Sequence, residues 1–454
     1  MSERDATLVL DIGKTNVKLT LIDADGATLA EQRCPNTIIN AGAYPQHDTE
    51  RIWDWMLGTF AAFARIARVG AIVPVTHGAT AALVDEHGLV LPVLDYESKL
   101  PESSGQRYGA VRPPFAQTFS PDLPAGLNLG RQLFWLAAEF PDDFARTRHI
   151  LMYPQYWAWR LSGVAASEVT SLGCHTDLWE PEAQAYSSLV GQMGWTALFP
   201  PVKAAGAVLG PLLPELAERT GLPADCKILC GIHDSNASLL RYLGGDVGTV
   251  LSSGTWLIAA SFGTALDALD EQSDMLANTN ALGQPVACMR FMGGREFSVL
   301  AGAEPQLCTV AQLAKLIDDG SLALPCFSES GGPFCGRTGA LTGIAPASDQ
   351  EWYALATLYC VLMSDYCLDA LKATGAIAVE GSFTGNPYFA PLLAALRPGQ
   401  QVLVSDDASG TTCGGWMLHR GAGSPESSTI AADPLCLAGL IEYRDRWRAL
   451  LTAQ

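Results

Sequence analysis

The chain has 454 residues, enough for two or three domains, and its 48% hydrophobic and 17% charged residues supply buried cores and exclude a disordered chain. Twenty-eight Lys and Arg stand against 47 Asp and Glu, a formal charge of −19 that repels nucleic-acid backbones and anionic membrane surfaces alike. A polyanionic ligand would then have to be held by backbone N–H groups, a metal ion or a few local cations.

Met1 to Thr7 is polar and runs straight into an apolar strand, so no signal peptide is expected, and no apolar stretch reaches the roughly 18–20 residues that span a bilayer. The first segment, Thr7 to Gly26, reads as a strand, a tight glycine turn at Gly13-Lys14-Thr15-Asn16, an alternating second strand and an Asp-Gly turn into a third strand at Ala27 to Glu31. An amphipathic helix follows from Thr49, with Thr as its N-cap, to Val69. Strands are expected at Gly70 to Val75 and Ala81 to Val84, the latter ending in the turn Asp85 to Gly88, and a further helix at Arg131 to Glu139. The mixture is α/β. Twelve scattered cysteines suit free thiols in a reducing cytoplasm; Cys226, Cys230 and the Cys174-His175 pair lack the second pair that a zinc site needs.

The second half opens at Gly245 with another apolar strand, the turn Ser252-Ser253-Gly254-Thr255 and a second apolar strand. Placing Gly13 on Gly254, an offset of 241 residues, superposes Leu8-Val9-Leu10 on Thr249-Val250-Leu251. This reads as an internal duplication, with domains at 1–244 and 245–454.

Gly13-Lys14-Thr15 invites a Walker A reading, but that pattern needs a glycine where Leu8 stands, and a helix rather than a strand after the turn. What remains is a hairpin whose N–H groups can face a phosphate, with Asp11 placed to hold hydrated Mg²⁺; an ordinary turn with a surface lysine fits the same residues. Gly254 and Thr255 leave the same two readings open. His233-Asp234-Ser235-Asn236 ends a strand and starts a helix, so Asp234 is either a helix cap or a carboxylate that accepts the proton of an attacking hydroxyl. Gly381-Ser382 with Asn386, and the glycine-rich run 331–343, are either ring-admitting loops or plain connections.

In order, these segments resemble the FGGY carbohydrate kinases of the sugar kinase, Hsp70 and actin ATPase superfamily. Asp11-Ile-Gly13-Lys14-Thr15-Asn16 is similar to the family's first phosphate hairpin, and His77-Gly78 with the stretch Asp85 to Pro92 to its Q-x-H-G and D-x-x-G-x-x-L-x-P segments. Trp135-Leu136 and Tyr156 to Gly163 resemble the W-L and Y-x-x-x-x-L-T-G stretches. Gly231-Ile-His233-Asp234 resembles the step carrying the catalytic Asp, and Ser253-Gly254-Thr255 the second phosphate turn. Gly339 to Gly343 resembles R-G-A-F-x-G, and Gly381-Ser382 with Asn386 the adenosine loop.

The resemblance implies two duplicated ribonuclease-H-like domains of the actin/hexokinase type, each a mixed β-sheet with flanking helices, around a central cleft. It implies ATP-dependent phosphoryl transfer to a hydroxyl of a small ketose or deoxyketose of the xylulose, ribulose, fuculose or rhamnulose kind. Asp234 would be the base and Asp11 the Mg²⁺ ligand. Gly13, Lys14, Thr15, Asn16, Gly254, Thr255, Gly339, Gly381, Ser382 and Asn386 would hold ATP, and His77, Asp95, Tyr96, Glu97, Gln155 and His233 the sugar. Three departures stand out: Lys14 replaces a hydroxyl residue, Glu380 replaces an adenosine-loop glycine, and Leu94-Asp95-Tyr96-Glu97-Ser98 replaces the W-x-D-x-R sugar stretch. A catalytically idle sugar or nucleotide sensor on the same fold is the competing function. A chaperone-like ATPase is set aside, because the 220 residues after Asp234 make one nucleotide domain and leave no room for a peptide-binding one. A cytoplasmic location is expected, with no nucleic-acid or membrane partner; a homodimer is left open.

Overall fold

A computed structural model describes residues 5–329, 331–405, 410–421 and 429–452. The chain divides between Leu243 and Gly244 into two units, and the division is not strictly sequential: Ala277–Pro285 and the helix Gly410–Arg420 belong to the first unit.

The first unit is built on strands β1 (Asp5–Ile12), β2 (Asn16–Asp23) and β3 (Thr28–Pro35), a meander that continues on the far side of β1 into Arg68–Thr76, Lys227–Leu229 and Val208–Pro211. Arg68–Thr76 runs parallel to β1, and Ile232–His233 lies along its last residues, pairing with Val75 and Thr76. Ala6 to Leu10 is wholly buried because both faces of β1 are covered, which is why it reads as an unbroken apolar run. Leu8, Leu10 and Ile12 face the helices Thr49–Phe63 and Tyr153–Ser162 through Trp53, Met56, Phe60, Tyr156 and Trp157. Val9, on the other face, packs with Val73, Val75, Trp416 and Met417. The late helix Gly410–Arg420 therefore closes the first unit's sheet.

The expected helix from Thr49 to Val69 ends at Phe63, its cap is Asp48 rather than Thr49, and the strand starts at Arg68. Asp48 wins because its carboxylate accepts the Arg51 N–H at 3.2 Å.

In the second unit Val247–Ser253 pairs antiparallel with Leu257–Phe262 and parallel with Ala376–Gly381. Pro285–Phe291 flanks one side, and Val402–Ser405 with Thr429–Ala431 the other. The local pattern repeats that of β1, β2 and Arg68–Thr76, so His77 and Ser382 each follow the strand parallel to a hairpin's first arm. Among the described residues no helix is long and apolar enough to cross a membrane.

Candidate active site

The hairpin joining β1 to β2 closes with the Gly13 N–H on the Asn16 carbonyl at 2.9 Å. Asn36, which the sequence did not single out, takes two more of the turn's carbonyls: its side chain donates to Gly13 O and its backbone N–H to Thr15 O, both at 2.8 Å. With those carbonyls tied back, the N–H groups of Lys14 and Thr15 have no hydrogen-bond partner among the described residues, a donor set that fits phosphate. The Asn16 side chain turns onto Thr15 Oγ1 at 3.1 Å.

Lys14 points elsewhere. Its ammonium pairs with Asp95, lies 3.3 Å from Glu97 and sits 4.7 Å over the Tyr96 ring. The cation on the expected phosphate turn is thus anchored to the expected sugar stretch, bringing Lys14, Asp95, Tyr96 and Glu97 together. The side chains of Lys14 and Asp95 are only 18% and 8% exposed, so this pair is screened far less than a surface one.

Asp11 lies 3.3 Å from Lys18, and burial, against that lysine's pull, raises its pKa to about 6, with Asp234 adding repulsion. A carboxylate whose proton affinity is raised by burial and by a neighbouring carboxylate fits a divalent cation held through one or two carboxylates, the usual Mg²⁺ mode.

Asp234 opens the short helix Asp234–Leu239, with His233 at the capping position. Its Oδ1 accepts from the Ser235 N–H at 2.6 Å and the Ser235 hydroxyl at 3.3 Å, and lies 3.2 Å from His233 Nε2. Asn36 has a counterpart here in Asn236, whose amide donates to His233 Nδ1 at 3.2 Å and so places the ring proton on Nε2, facing Asp234. Burial lowers the His233 pKa to about 4, so the ring is a neutral donor. Both Ser235 donors converge on Oδ1 beside the His233 ring, and Oδ2 has no hydrogen-bond partner among the described residues. The side chain keeps 29% of its surface open, and burial pushes its pKa up, with His77 opposing. Gly78 makes room for this arrangement: a Cβ there would lie 2.8 Å from His233 Nε2.

His77 is fixed to the root of the hairpin by its N–H on Ile12 O at 2.9 Å. Its ring meets Tyr96, Tyr153 and His47, with centroids 5.4, 5.1 and 5.1 Å away. His47 was missed in the sequence, where it is one residue before a helix cap and carries no motif. Gln155, expected at the sugar, is instead sealed in the interior, its amide donating to the Cys230 and Gly231 carbonyls at 3.0 and 3.2 Å. Its place is behind the segment that carries Asp234.

That segment has a second anchor that was also missed. Buried Glu168 accepts the Thr170 N–H at 3.0 Å and hydroxyl at 2.5 Å, and Thr170 Oγ1 in turn accepts the His233 N–H at 3.1 Å. The helix itself is backed by Gly410–Arg420: Gly414 sits so close to the Ala237 carbonyl that no Cβ would fit, and Ser238 and Thr411 share a hydrogen bond at 3.2 Å.

In the second unit Gly254 closes its turn on Trp256 O at 2.8 Å, and Gly294, at the start of Gly293–Ala301, abuts the Gly254 carbonyl and Thr255. Ser253 ties the turn to the 380–383 loop: its hydroxyl donates to Glu380 O at 2.5 Å and accepts the Phe383 N–H at 2.9 Å. Gly381, at φ +83°, lies against the Ser253 backbone where a side chain would collide, and the Ser382 hydroxyl reaches Ser253 O at 3.4 Å. Gly254, Thr255, Gly381 and Ser382 therefore form one neighbourhood. Asn386 is buried, its amide on Thr357 Oγ1 at 2.9 Å and its carbonyl on the Tyr388 N–H at 3.0 Å. Gly339 packs on the Phe327 ring, a position where any Cβ would clash.

Two family models match the chain: the N-terminal domain of the FGGY family of carbohydrate kinases over residues 126–241 and the carbohydrate kinase FGGY C-terminal domain over 246–428. The chain is similar along its whole length to a carbohydrate kinase from Novosphingobium aromaticivorans, with 38% identity, a TM-score of 0.94 and coverage of 100% of this chain and 99% of that one. It shares its fold, at 14% identity and a TM-score of 0.81, with a gluconate kinase from Lactobacillus acidophilus, over 99% and 96% of the two chains. Among curated proteins it is 29% identical to an L-fuculokinase of Salmonella typhi over 273 residues, 56% of each, and 26% identical to a probable L-xylulose kinase of Pasteurella multocida over 295 residues, 57% of this chain and 56% of that one. The chain thus spans about half the length of the curated relatives it matches. With both domains matched and one solved relative similar from end to end, the chain belongs to the FGGY family of carbohydrate kinases.

Proposed function

We propose that this protein is an ATP-dependent kinase that transfers the γ-phosphoryl group to a hydroxyl of a small ketose or deoxyketose. The observation that carries the reading is the asymmetry of Asp234: the Ser235 N–H and hydroxyl hold Oδ1, and Oδ2, with no hydrogen-bond partner among the described residues, is free to accept a proton. Phosphoryl transfer asks the protein for positioning, charge neutralisation and an acceptor for the hydroxyl proton. Asp234 Oδ2 takes that proton, and burial moves its pKa toward neutral pH, where a base works best. Asp95, Tyr96, Glu97 and His77 orient the sugar, and the aromatic rings cover its C–H faces. The turn from Gly13 to Asn16 in the first unit, and Gly254, Thr255, Gly381 and Ser382 in the second, are assigned to the nucleotide. Magnesium, when bound, would neutralise phosphate charge, and Asp11 is the residue that would hold it. Relatives named for fuculose and xylulose support the ketose class. Twelve free cysteines support a reducing, cytoplasmic setting.

The test is sugar-dependent ADP release by wild type and Asp234→Asn across xylulose, ribulose, fuculose, rhamnulose, fructose and erythrulose. Turnover should fall by at least ~10²-fold in the variant. Near-wild-type turnover overturns the assignment of the base. Sugar binding by wild type without turnover on any of them identifies a sensor instead.

A further inference from the structure

Among the described residues of the first unit four buried imidazole nitrogens have no hydrogen-bond partner, and three of them lie together: both of His47, which is 3% exposed, and Nε2 of His77, which is 5% exposed; the fourth is Nδ1 of His149. The two rings lie 5.1 Å apart, inclined by 31°, and both touch Tyr153. His77 Nδ1 is 3.0 Å from the Gly78 carbonyl, so it carries the proton and Nε2 is a bare acceptor. His47, neutral in the same way, offers one donor and one acceptor. Buried polar atoms without partners are costly and are retained where something supplies the missing bonds. His47 is bound to the sugar stretch by its backbone: its N–H donates to Val93 O at 2.9 Å, and the Asp95 N–H donates to Pro45 O at 3.0 Å.

We infer that His47 and His77 together read one hydroxyl of the acceptor sugar, which makes His47 a specificity-determining residue. This rests on the sugar-kinase reading and narrows its substrate class. A hydroxyl both donates and accepts, and so answers a bare acceptor beside a donor–acceptor ring; a hydrogen in its place answers neither. Burial holds both rings neutral, which disfavours a carboxylate or an ammonium at this position. The substrate is therefore a ketose hydroxylated at the carbon facing this pair, and the sugar deoxygenated at that carbon is discriminated against by ~10²-fold or more, as in sites built to bond a hydroxyl.

The experiment measures kcat/KM, and Kd by calorimetry, for the best ketose and each of its mono-deoxy analogues, with wild type, His47→Leu and His47→Gln. Wild type should reject one particular analogue by at least ~10²-fold, with most of the loss in KM. His47→Leu should cut that one ratio below ~10-fold and leave the other ratios and the KM for ATP in place, whereas His47→Gln, which keeps a donor and an acceptor, should retain most of the discrimination. Equal effects of His47→Leu on all analogues, or none on any, overturn the inference and assign His47 to packing; a thermal melt of each variant confirms that folded protein was compared. If wild type binds ketoses without turning them over, the kinase reading fails while the Kd ratios still decide this one. If it binds none, both fall.

Discussion

His233 Nε2 lies 3.2 Å from Asp234 Oδ1, and the Asn236 amide lies 3.2 Å from His233 Nδ1 on the other side of the ring. The two carboxylate oxygens are thus unequal: Oδ1 takes the Ser235 bonds beside the His233 ring, and Oδ2 has no hydrogen-bond partner among the described residues. Replacing His233 by Phe takes a ring N–H away from beside a charged group, and kcat/KM is expected to fall by roughly 10–100-fold, the size of one bond to a charged group. The direction of the pH effect follows: with one donor fewer, the charged form of Asp234 is less favoured, its pKa rises further, and the acid limb of kcat/KM against pH moves to higher pH. His233→Gln, which can still donate, should shift the limb less. Unshifted limbs in both variants would show that His233 does not act on Asp234.

Lys14 pairs with Asp95 and Glu97 rather than projecting from its turn. Lys14→Met should therefore raise the KM for sugar about tenfold, the size expected for one bond to a charged group, with a smaller change in the KM for ATP. Steady-state titration of each substrate at saturating levels of the other separates the two. A rise confined to the KM for ATP would make Lys14 a phosphate ligand.

Gly414 lies in a helix, where alanine normally stabilises by about 1 kcal/mol. Here a Cβ would collide with the Ala237 carbonyl in the helix that begins at Asp234. Gly414→Ala is expected to destabilise by about 1–3 kcal/mol through overpacking and to lower kcat by shifting Asp234. Thermal melts and turnover should fall together; a raised melting temperature would mean the two helices have slack.

The parts of this molecule that were legible in the sequence are those fixed locally. The turn at Gly13, the unbroken apolar run of β1, and the strand-to-helix step at Asp234 each depend on a few neighbouring residues. Asp234 could be read as a cap or as a base because both uses place an acid at a helix start; what separates them is that His233, not Asp234, takes the capping position. Lys14, Gln155 and His47 were opaque for the opposite reason. Their roles are set by partners far away in the chain, Asp95 for Lys14, Cys230 and Gly231 for Gln155, and His77 for His47. The return of Gly410–Arg420 to the first sheet was equally hidden, because glycines at 414 and 415 look like poor helix formers until the carbonyl and the valines they accommodate are in place.

Glu168 gives the last prediction, on stability against pH. It is fully buried, and desolvation, outweighing the bonds from Thr170 and Ser171, raises its pKa from 4.5 to about 7. A carboxyl that holds its proton more tightly when folded contributes stability that is fully present below pH 4.5 and is lost as pH rises through about 7. The shift corresponds to roughly 3 kcal/mol across that window. Asp11 and Asp177, each raised to about 6, act in the same direction, so the wild-type slope alone does not isolate Glu168. The difference between wild type and Glu168→Gln does, because Gln cannot titrate, whereas the other two carboxyls still do. Denaturant unfolding at pH 5 and pH 8 should show wild type losing more stability than the variant by an amount of this order. Because Thr170 passes this anchor on to the His233 N–H, the variant should also show a lower kcat with little change in either KM. Parallel pH slopes in the two proteins would mean that Glu168 ionises in the folded state no less readily than in the unfolded chain.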